Sequence, residues 1–253
     1  MQELTAEQKE LNRLRKRLTT RFHKACADYG LIADGDKILI GLSGGKDSLA
    51  LVEMLGRRQK IYVPRFSVVA VHVIMENIGY QSDTEYLRQF CEEQGVEFAL
   101  KRTSYEDNDN QQRNHCFLCS WYRRKALFDF AKETGCNKIA LGHHKDDIVE
   151  TLLMNLVYQG AFATMPPMLK MEKFDMKIIR PLCLLREAEI KRYAELSRYK
   201  QMPKLCPFEK ESSRADIKRL VEELKKLNPE FLDSAWGAME NIKADYLPNI
   251  VES

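Results

Sequence analysis

"ILIGLSGGKDSLALVEML", Ile38 to Leu55, is an apolar run that breaks at Ser43-Gly44-Gly45-Lys46-Asp47-Ser48 and resumes with the spacing of an amphipathic helix. Two adjacent glycines let a chain turn sharply and bring its N–H groups against a ligand with no Cβ in the way. The helix that follows points the positive end of its dipole at the same spot, which favours an anion and above all a phosphate. The stretch therefore predicts a strand, a nucleotide-phosphate turn and a helix. It is not the common phosphate loop, G-x-x-x-x-G-K-S/T, because here the lysine directly follows the second glycine and an aspartate comes next. The dinucleotide pattern G-x-G-x-x-G is also missing. A turn whose Ser43 or Asp47 only caps the helix is the plainer alternative.

Around this stretch, short β-rich runs alternate with helical patterns: "KILIGLS", "SVVAVHVI", "VEFALK", "NKIALGH" and "MKIIRPL", separated by segments such as Asp83 to Gln94 and Trp121 to Thr134. Strands fed through helices predict an α/β fold, an open parallel sheet with helices on both faces. Ligands in such folds gather at the carboxyl ends of the strands, where the strand order reverses. A second strand ends in just such a turn. In "IALGHHKDDIVETLLMNL", Ile139 to Leu156, the strand stops at Gly142, and His143, His144, Asp146 and Asp147 fill the turn. Ile148, Leu152 and Leu156 are expected to mark the buried stripe of the next helix. Histidines and carboxylates crowded there can bind magnesium, orient a nucleotide or move protons; a helix cap beside two surface histidines is the plainer reading.

Three regions are expected: a basic N-terminal helix over residues 1–30, a core over 31–206, and a helical tail over 207–253. In the first, Arg13, Arg15, Lys16, Arg17 and Arg21 lie between Lys9 and Lys24 with Glu10 the only acid. Such a run is either a solvated face or a match for a phosphate backbone. In the tail, Ile217, Leu220, Val221, Leu224 and Leu227 repeat at helical spacing, Asn228-Pro229 can end that helix and start another, and no β-rich run returns. This helical pair would cap the core or meet a partner. No apolar run reaches the ~20 residues of a membrane span, and the polar N-terminus lacks a signal peptide's apolar segment, so a cytoplasmic protein with no membrane association is expected.

Seven cysteines are present, at 26, 91, 116, 119, 136, 183 and 206. An odd count in a reducing compartment argues against a disulfide framework and for metal or redox chemistry. Cys91, Cys136 and Cys183 sit in apolar segments and read as small core residues. Cys116 and Cys119 form C-x-x-C at the mouth of a helix, where thiolates are favoured, and Cys206 follows in "KLCPFEK". By spacing alone, zinc with His115 as a fourth ligand, a redox pair and an iron–sulfur cluster all remain open.

S-G-G-K-D-S followed by G-H-H-K-D-D-x-x-E-T resembles the PP-loop ATP pyrophosphatases, which cleave ATP between its α- and β-phosphates and adenylate a substrate oxygen. Further elements, "NHCFLCSWYRRKALFDFA", "MPP" at Met165 to Pro167 and "IIRPLCLLREAEI", look like the tRNA 2-thiocytidine synthetase family among them. The resemblance spans roughly Asp36 to Cys206. It implies ATP, magnesium and a 4Fe-4S cluster as cofactors, the cluster being held by Cys116, Cys119 and Cys206 with one iron free of protein ligands. Three cysteines suit that open position better than a closed zinc site. The sequence departs from the family in one place: where a further cysteine stands three residues after the third ligand, this chain has Glu209, and its tail beyond does not resemble the family's.

The resemblance implies adenylation of the C2 oxygen of a cytidine in the tRNA anticodon loop, position 32, and its replacement by sulfur. Ser43, Gly44, Gly45, Lys46 and Ser48 would hold the phosphates. Asp47 and Asp147 would bind magnesium, with Gly142, His143 and His144 beside the adenylate. Arg180 either contacts the substrate or buttresses a loop, and Arg13 and Arg17 would hold the tRNA backbone. A persulfide-carrying donor such as a cysteine desulfurase would supply sulfur, and a homodimer is compatible with all of this. The rivals are a ligase of the lysidine-synthetase type or a thiolase for another base, with structural zinc at the cysteines, and a non-catalytic nucleic-acid-binding protein.

Overall fold

The computed structural model describes residues 4–61, 63–76, 82–105, 115–172, 175–200 and 213–248. In chain order the elements are α1 (Ala6–Asp28), β1 (Lys37–Gly41), α2 (Lys46–Arg58), β2 (Ser67–Met75), α3 (Thr84–Gln94), β3 (Glu97–Thr103) and α4 (His115–Glu133). There follow β4 (Lys138–Ala140), α5 (Lys145–Gln159), β5 (Met168–Lys170), β6 (Lys177–Ile179), α6 (Glu187–Leu196), α7 (Ser213–Leu227) and α8 (Phe231–Glu240). They form two compact units. The described part of the first is 4–145 with 165–200, and that of the second is 146–164 with 213–248.

In the first unit six strands make one sheet in the order β3-β2-β1-β4-β6-β5. β1 pairs in parallel with β2 on one side and β4 on the other, so that Ile40 lies opposite both Ala70 and Ala140. Strand order therefore reverses at β1, and the turns that leave β1 and β4 emerge side by side at the carboxyl edge. The central strand, Ile38 to Ile40, is buried on both faces, as parallel strands covered by helices must be. Leu39, Val69, Val71 and Ile139 pack with Leu127, Ala131 and Cys136 behind it. The sheet is not wholly parallel. β5 runs antiparallel to β6, with Leu169 opposite Ile178. Sequence pattern did not reveal it, because three largely exposed residues at an edge show neither alternation nor an apolar run.

At the amino ends of the central strands β1 and β4, Lys138 and Asp36 form a buried ion pair at 2.6 Å. The Asp36 carboxylate also accepts from the Ala33 N–H and from Asn137, and Lys138 donates to the Leu31 carbonyl. Burial raises the Asp36 pKa, but these donors outweigh it and hold the carboxyl below the usual range.

α1 begins with a reciprocal cap between Thr5 and Gln8 and buries Leu14, Leu18, Phe22 and Ala25 along one stripe. α2 is anchored by Glu53, 5% exposed within the helix. Its carboxylate accepts from the Tyr193 and Tyr199 hydroxyls and from Arg57, while Arg15 on α1 donates to the Tyr193 oxygen at 3.2 Å. In the second unit, Ile217, Val221 and Leu232 from the tail pack on Val149 of α5. Ile148 and Leu152 are buried as expected, but Leu156 is 42% exposed; the stripe ends a turn before the sequence spacing suggests.

Candidate active site

Leu42 starts the turn after β1 and is held twice by β2. Its N–H donates to the Val71 carbonyl, and its own carbonyl accepts from His72 Nδ1 at 2.7 Å. A carbonyl can only accept, so His72 carries its proton on Nδ1. Burial depresses the His72 pKa, which keeps the ring neutral in this role. Gly44 has φ of 85°, a left-handed conformation that explains glycine at that position. Gly45 is the N-cap of α2, and no side chain caps the helix. Ser43 and Asp47 are thus not caps. Ser43 Oγ instead accepts from the Gly45 N–H at 3.3 Å and donates to Ser48 Oγ at 3.1 Å, while Ser48 donates to the Gly45 carbonyl. The hydroxyls brace the turn from inside and leave the first amides of α2 without a side-chain acceptor.

Lys46 lies 3.0 Å from both Asp47 Oδ2 and Glu187 at the start of α6. Burial works against its charge, but the two carboxylates outweigh it and raise its pKa. The other Asp47 oxygen, Oδ1, is buried and has no hydrogen-bond partner among the described residues; His144 Nε2 is 3.9 Å away. A carboxylate oxygen hidden from water without a donor suits a cation, and magnesium takes oxygen ligands of this type.

The turn after β4 closes on the same place. A Cβ on Gly142 would stand 3.1 Å from the Asp47 carbonyl carbon and 3.2 Å from Ser48 N, so glycine lets the two turns touch without displacing either. His143 is half-buried and His144 is 2% exposed. The Lys145 N–H is tied to the Leu185 carbonyl at 2.9 Å. Asp147, in the second unit, accepts from Arg214 of α7 at 2.6 Å, and Arg214 and Lys218 also face Glu150.

Arg180 is 6% exposed and donates to the Pro166 carbonyl at 2.6 Å, which ties the Met165–Pro167 segment to the end of β6. Arg13 and Arg17 line a cavity of about 350 Å³ between α1 and α6. Arg17 there pairs with Glu189 at 2.8 Å, as Arg21 does at 2.5 Å. Arg15, counted with them in the basic run, turns inward to Tyr193.

Cys119 lies on the second turn of α4, half-buried beside Met75, Tyr105 and Leu118. Cys116 is one turn earlier on the same helix; its side chain, Cys206 and Glu209 lie outside the described residues. Of the others, Cys26, Cys91, Cys136 and Cys183 are buried, and burial pushes the thiols of Cys26, Cys91 and Cys183 up to about 12. Those three are packing thiols, unsuited to bind metal as thiolates, and Cys136 packs in the core with Leu127 and Ala131. Sequence reading missed His72, Glu187 and Glu53: a histidine in an apolar strand and acids on helices carry no local mark of the partners that folding gives them.

A doubly wound sheet with a glycine-braced phosphate turn at β1 and a histidine-aspartate turn at β4 is the frame of a nucleotide-cleaving α/β enzyme. A family model described as a PP-loop domain matches residues 14–218. The chain is 38% identical to a tRNA-cytidine(32) 2-sulfurtransferase of Hahella chejuensis over 94% of its own length and 85% of that protein's. It is 36% identical to the protein of the same name in Alcanivorax borkumensis, over 96% and 87% of the two lengths. The chain belongs to the PP-loop family, in its tRNA-cytidine(32) 2-sulfurtransferase branch. Among solved structures it matches the U34-tRNA thiolase NcsA of Methanococcus maripaludis, solved with its 4Fe-4S cluster, with a TM-score of 0.74 and 27% identity over 94% of this chain and 84% of that one.

Proposed function

We propose that this protein is an ATP-dependent tRNA-thiolating enzyme that converts a cytidine of the anticodon loop, position 32, to 2-thiocytidine. The observation that carries the reading is the contact of the two strand-end turns, Gly142 against Asp47 and Ser48, in a chain whose relatives are named for that reaction. The C2 oxygen of the base attacks the α-phosphorus of ATP, an O–P bond forms, and pyrophosphate leaves. A C–S bond then replaces the C–O bond and AMP departs. The first step is needed because a carbonyl-type oxygen is a poor leaving group until it is phosphorylated.

The chain's own groups divide the work. The amides at Gly44, Gly45 and the start of α2 bind phosphate oxygens, and Lys46, Ser43 and Ser48 keep them in place. Asp47 Oδ1 binds magnesium; Asp147, the other expected ligand, is paired with Arg214 within the second unit. His143 and His144 flank the adenylate, and Arg180 fixes the Met165–Pro167 segment against it. Cys116, Cys119 and Cys206 would hold a 4Fe-4S cluster, which supplies an iron with an open coordination position for sulfur. The described thiols outside α4 are all buried, which supports assigning the cluster to these three. A persulfide-carrying donor such as a cysteine desulfurase supplies the sulfur, a thiol reductant supplies the two electrons that bring that sulfur to the sulfide level of the product, the protein works in the cytoplasm, and among the described residues no helix is long and apolar enough to cross a membrane. A homodimer is compatible with this chemistry.

The test is to digest bulk tRNA from cells lacking the protein and to measure 2-thiocytidine by mass spectrometry. Its disappearance, restored by the wild type but not by Asp47→Asn, is the expected result. Persistence of 2-thiocytidine while another thiolated or aminated base vanishes would overturn the substrate assignment.

A further inference from the structure

α4 carries two large aromatic side chains on its outside where a helix of a folded core would not need them. Phe117 is 50% exposed and Trp121, one turn on, is 45% exposed. The inward positions, Leu118 and Tyr122, already fill the contact with Met75 and Tyr105. Trp121 meets Tyr122 edge-on at 4.8 Å, and Tyr122 in turn lies 6.0 Å from the buried Tyr105, so the indole is braced on one side by a half-buried ring. Arg124, three residues beyond Trp121, is exposed and makes no ion pair among the described residues. From His115 to Lys125 the helix has three cations, Arg123, Arg124 and Lys125, and no acid, and Lys125 pairs with Asp129 one turn on at 3.1 Å.

Resting on the thiolation reading above, we propose that this outer face of α4 is a stacking platform for unpaired RNA bases, with Phe117 and Trp121 against base faces and Arg124 on the adjoining phosphate. Rings braced in place beside Arg124, which has no ion pair among the described residues, match the two features every unpaired nucleotide offers, a π-face and a phosphate. Paired RNA hides its base faces and offers only the phosphate. Trp121 follows Cys119 by two residues, about 3 Å of helix rise and about 200° around the axis, so the platform lies at the cysteine end of α4 but on its outer face. The platform would select a splayed anticodon loop over a helical stem.

The chain has two tryptophans, and Trp236 is buried in α8, so Trp236→Phe in the full-length protein leaves Trp121 as the single reporter. Titration with an RNA hairpin bearing an unpaired seven-base loop is expected to quench its fluorescence, and a blunt duplex of equal length to quench it far less. In the otherwise wild-type chain, Trp121→Ala should weaken hairpin binding about tenfold, the weight of one lost base stack, while Trp121→Phe recovers most of it. ATP binding and iron content of both variants should match the wild type, which shows that α4 is still folded. Equal quenching by hairpin and duplex would overturn the proposal, as would unchanged hairpin affinity of Trp121→Ala. So would quenching by a sulfur-donor protein in place of RNA, which would make this face a protein contact. If Trp121→Ala binds the hairpin normally and still restores 2-thiocytidine in cells, the platform fails and the thiolation reading stands. If wild-type protein restores no 2-thiocytidine, the reverse assignment applies.

Discussion

Replacing Gly142 by alanine loads the contact between the two strand-end turns directly. The new methyl carbon would lie 3.1 Å from the Asp47 carbonyl carbon, 3.2 Å from its oxygen and 3.2 Å from Ser48 N, against 3.4 Å for ordinary contact. All three are backbone atoms, so no side chain can rotate away, and the phosphate turn must move by a few tenths of an ångström. Overpacking of this kind costs about 1–3 kcal/mol, a fall in Tm of roughly 2–10 °C for a chain of this size. Misplacement by 1 Å in an active site costs about 100-fold, so a shift of about 0.3 Å should slow pyrophosphate release roughly fourfold. Pyrophosphate release with tRNA and ATP present, followed beside a thermal melt, measures both effects. Gly237→Ala in α8 is the control, since nothing lies within 4 Å of its Cβ, and it should keep the wild-type rate and gain up to about 1 kcal/mol from helix propensity. A Gly142→Ala protein with wild-type rate and Tm would show that the turns do not constrain each other.

Cys119→Ala should lose iron and thiolation together, whereas Cys183→Ala should keep its iron and lose only packing; iron analysis of anaerobically purified protein decides it, and a full iron complement in Cys119→Ala would sink the ligand set. The Asp36–Lys138 pair sets an acid limit. Its carboxyl is depressed in the folded chain, so its contribution is complete above the unfolded pKa of about 3.9 and is lost as pH falls through the folded value. Asp36→Asn should cost about 3–5 kcal/mol near neutral pH by leaving Lys138 buried alone, and should flatten the acid end of a stability–pH curve. Arg13→Gln with Lys16→Gln should reduce the slope of log affinity for tRNA against log salt by up to about 1.4, with Tm unchanged.

The site's two halves were legible because each is a local statement. A double glycine before an amphipathic helix, and histidines with aspartates after a strand, specify backbone geometry and charge within a few residues. Their meeting was not legible. It depends on β1 and β4 pairing across a hundred residues, which follows from how the whole sheet is ordered. The same limit explains Glu53. On α2 it reads as a solvent-facing acid, yet it is buried because two tyrosines about 140 residues later donate to it. His72 sits in an apolar strand and acquires its role only from the Leu42 carbonyl beside it. The exposed end of the α5 stripe, Leu156, fails for the converse reason, since helical spacing fixes which side a residue is on but not how far its partner helices extend.

The basic N-terminal run shows what a charge pattern leaves open. Its five central cations looked equivalent, but the fold sorts them by where acids and hydroxyls fall on α6. Arg15 is spent inward on Tyr193, and Arg17 and Arg21 share Glu189. Arg13 and Lys16 remain exposed without an ion pair among the described residues. An arginine already paired with a carboxylate has less to give a phosphate, because the anion must displace an existing partner. The surface that α1 offers a polyanion is therefore smaller than its composition, and centred on Arg13 and Lys16. Affinity for RNA must then be shared with another face of the same unit, and on α4 Arg124 is exposed without an ion pair among the described residues, three residues beyond Trp121. A nucleic acid gripped only by phosphates slides; one held by phosphates and by stacked bases is placed. Placement is what a reaction at a single base oxygen requires.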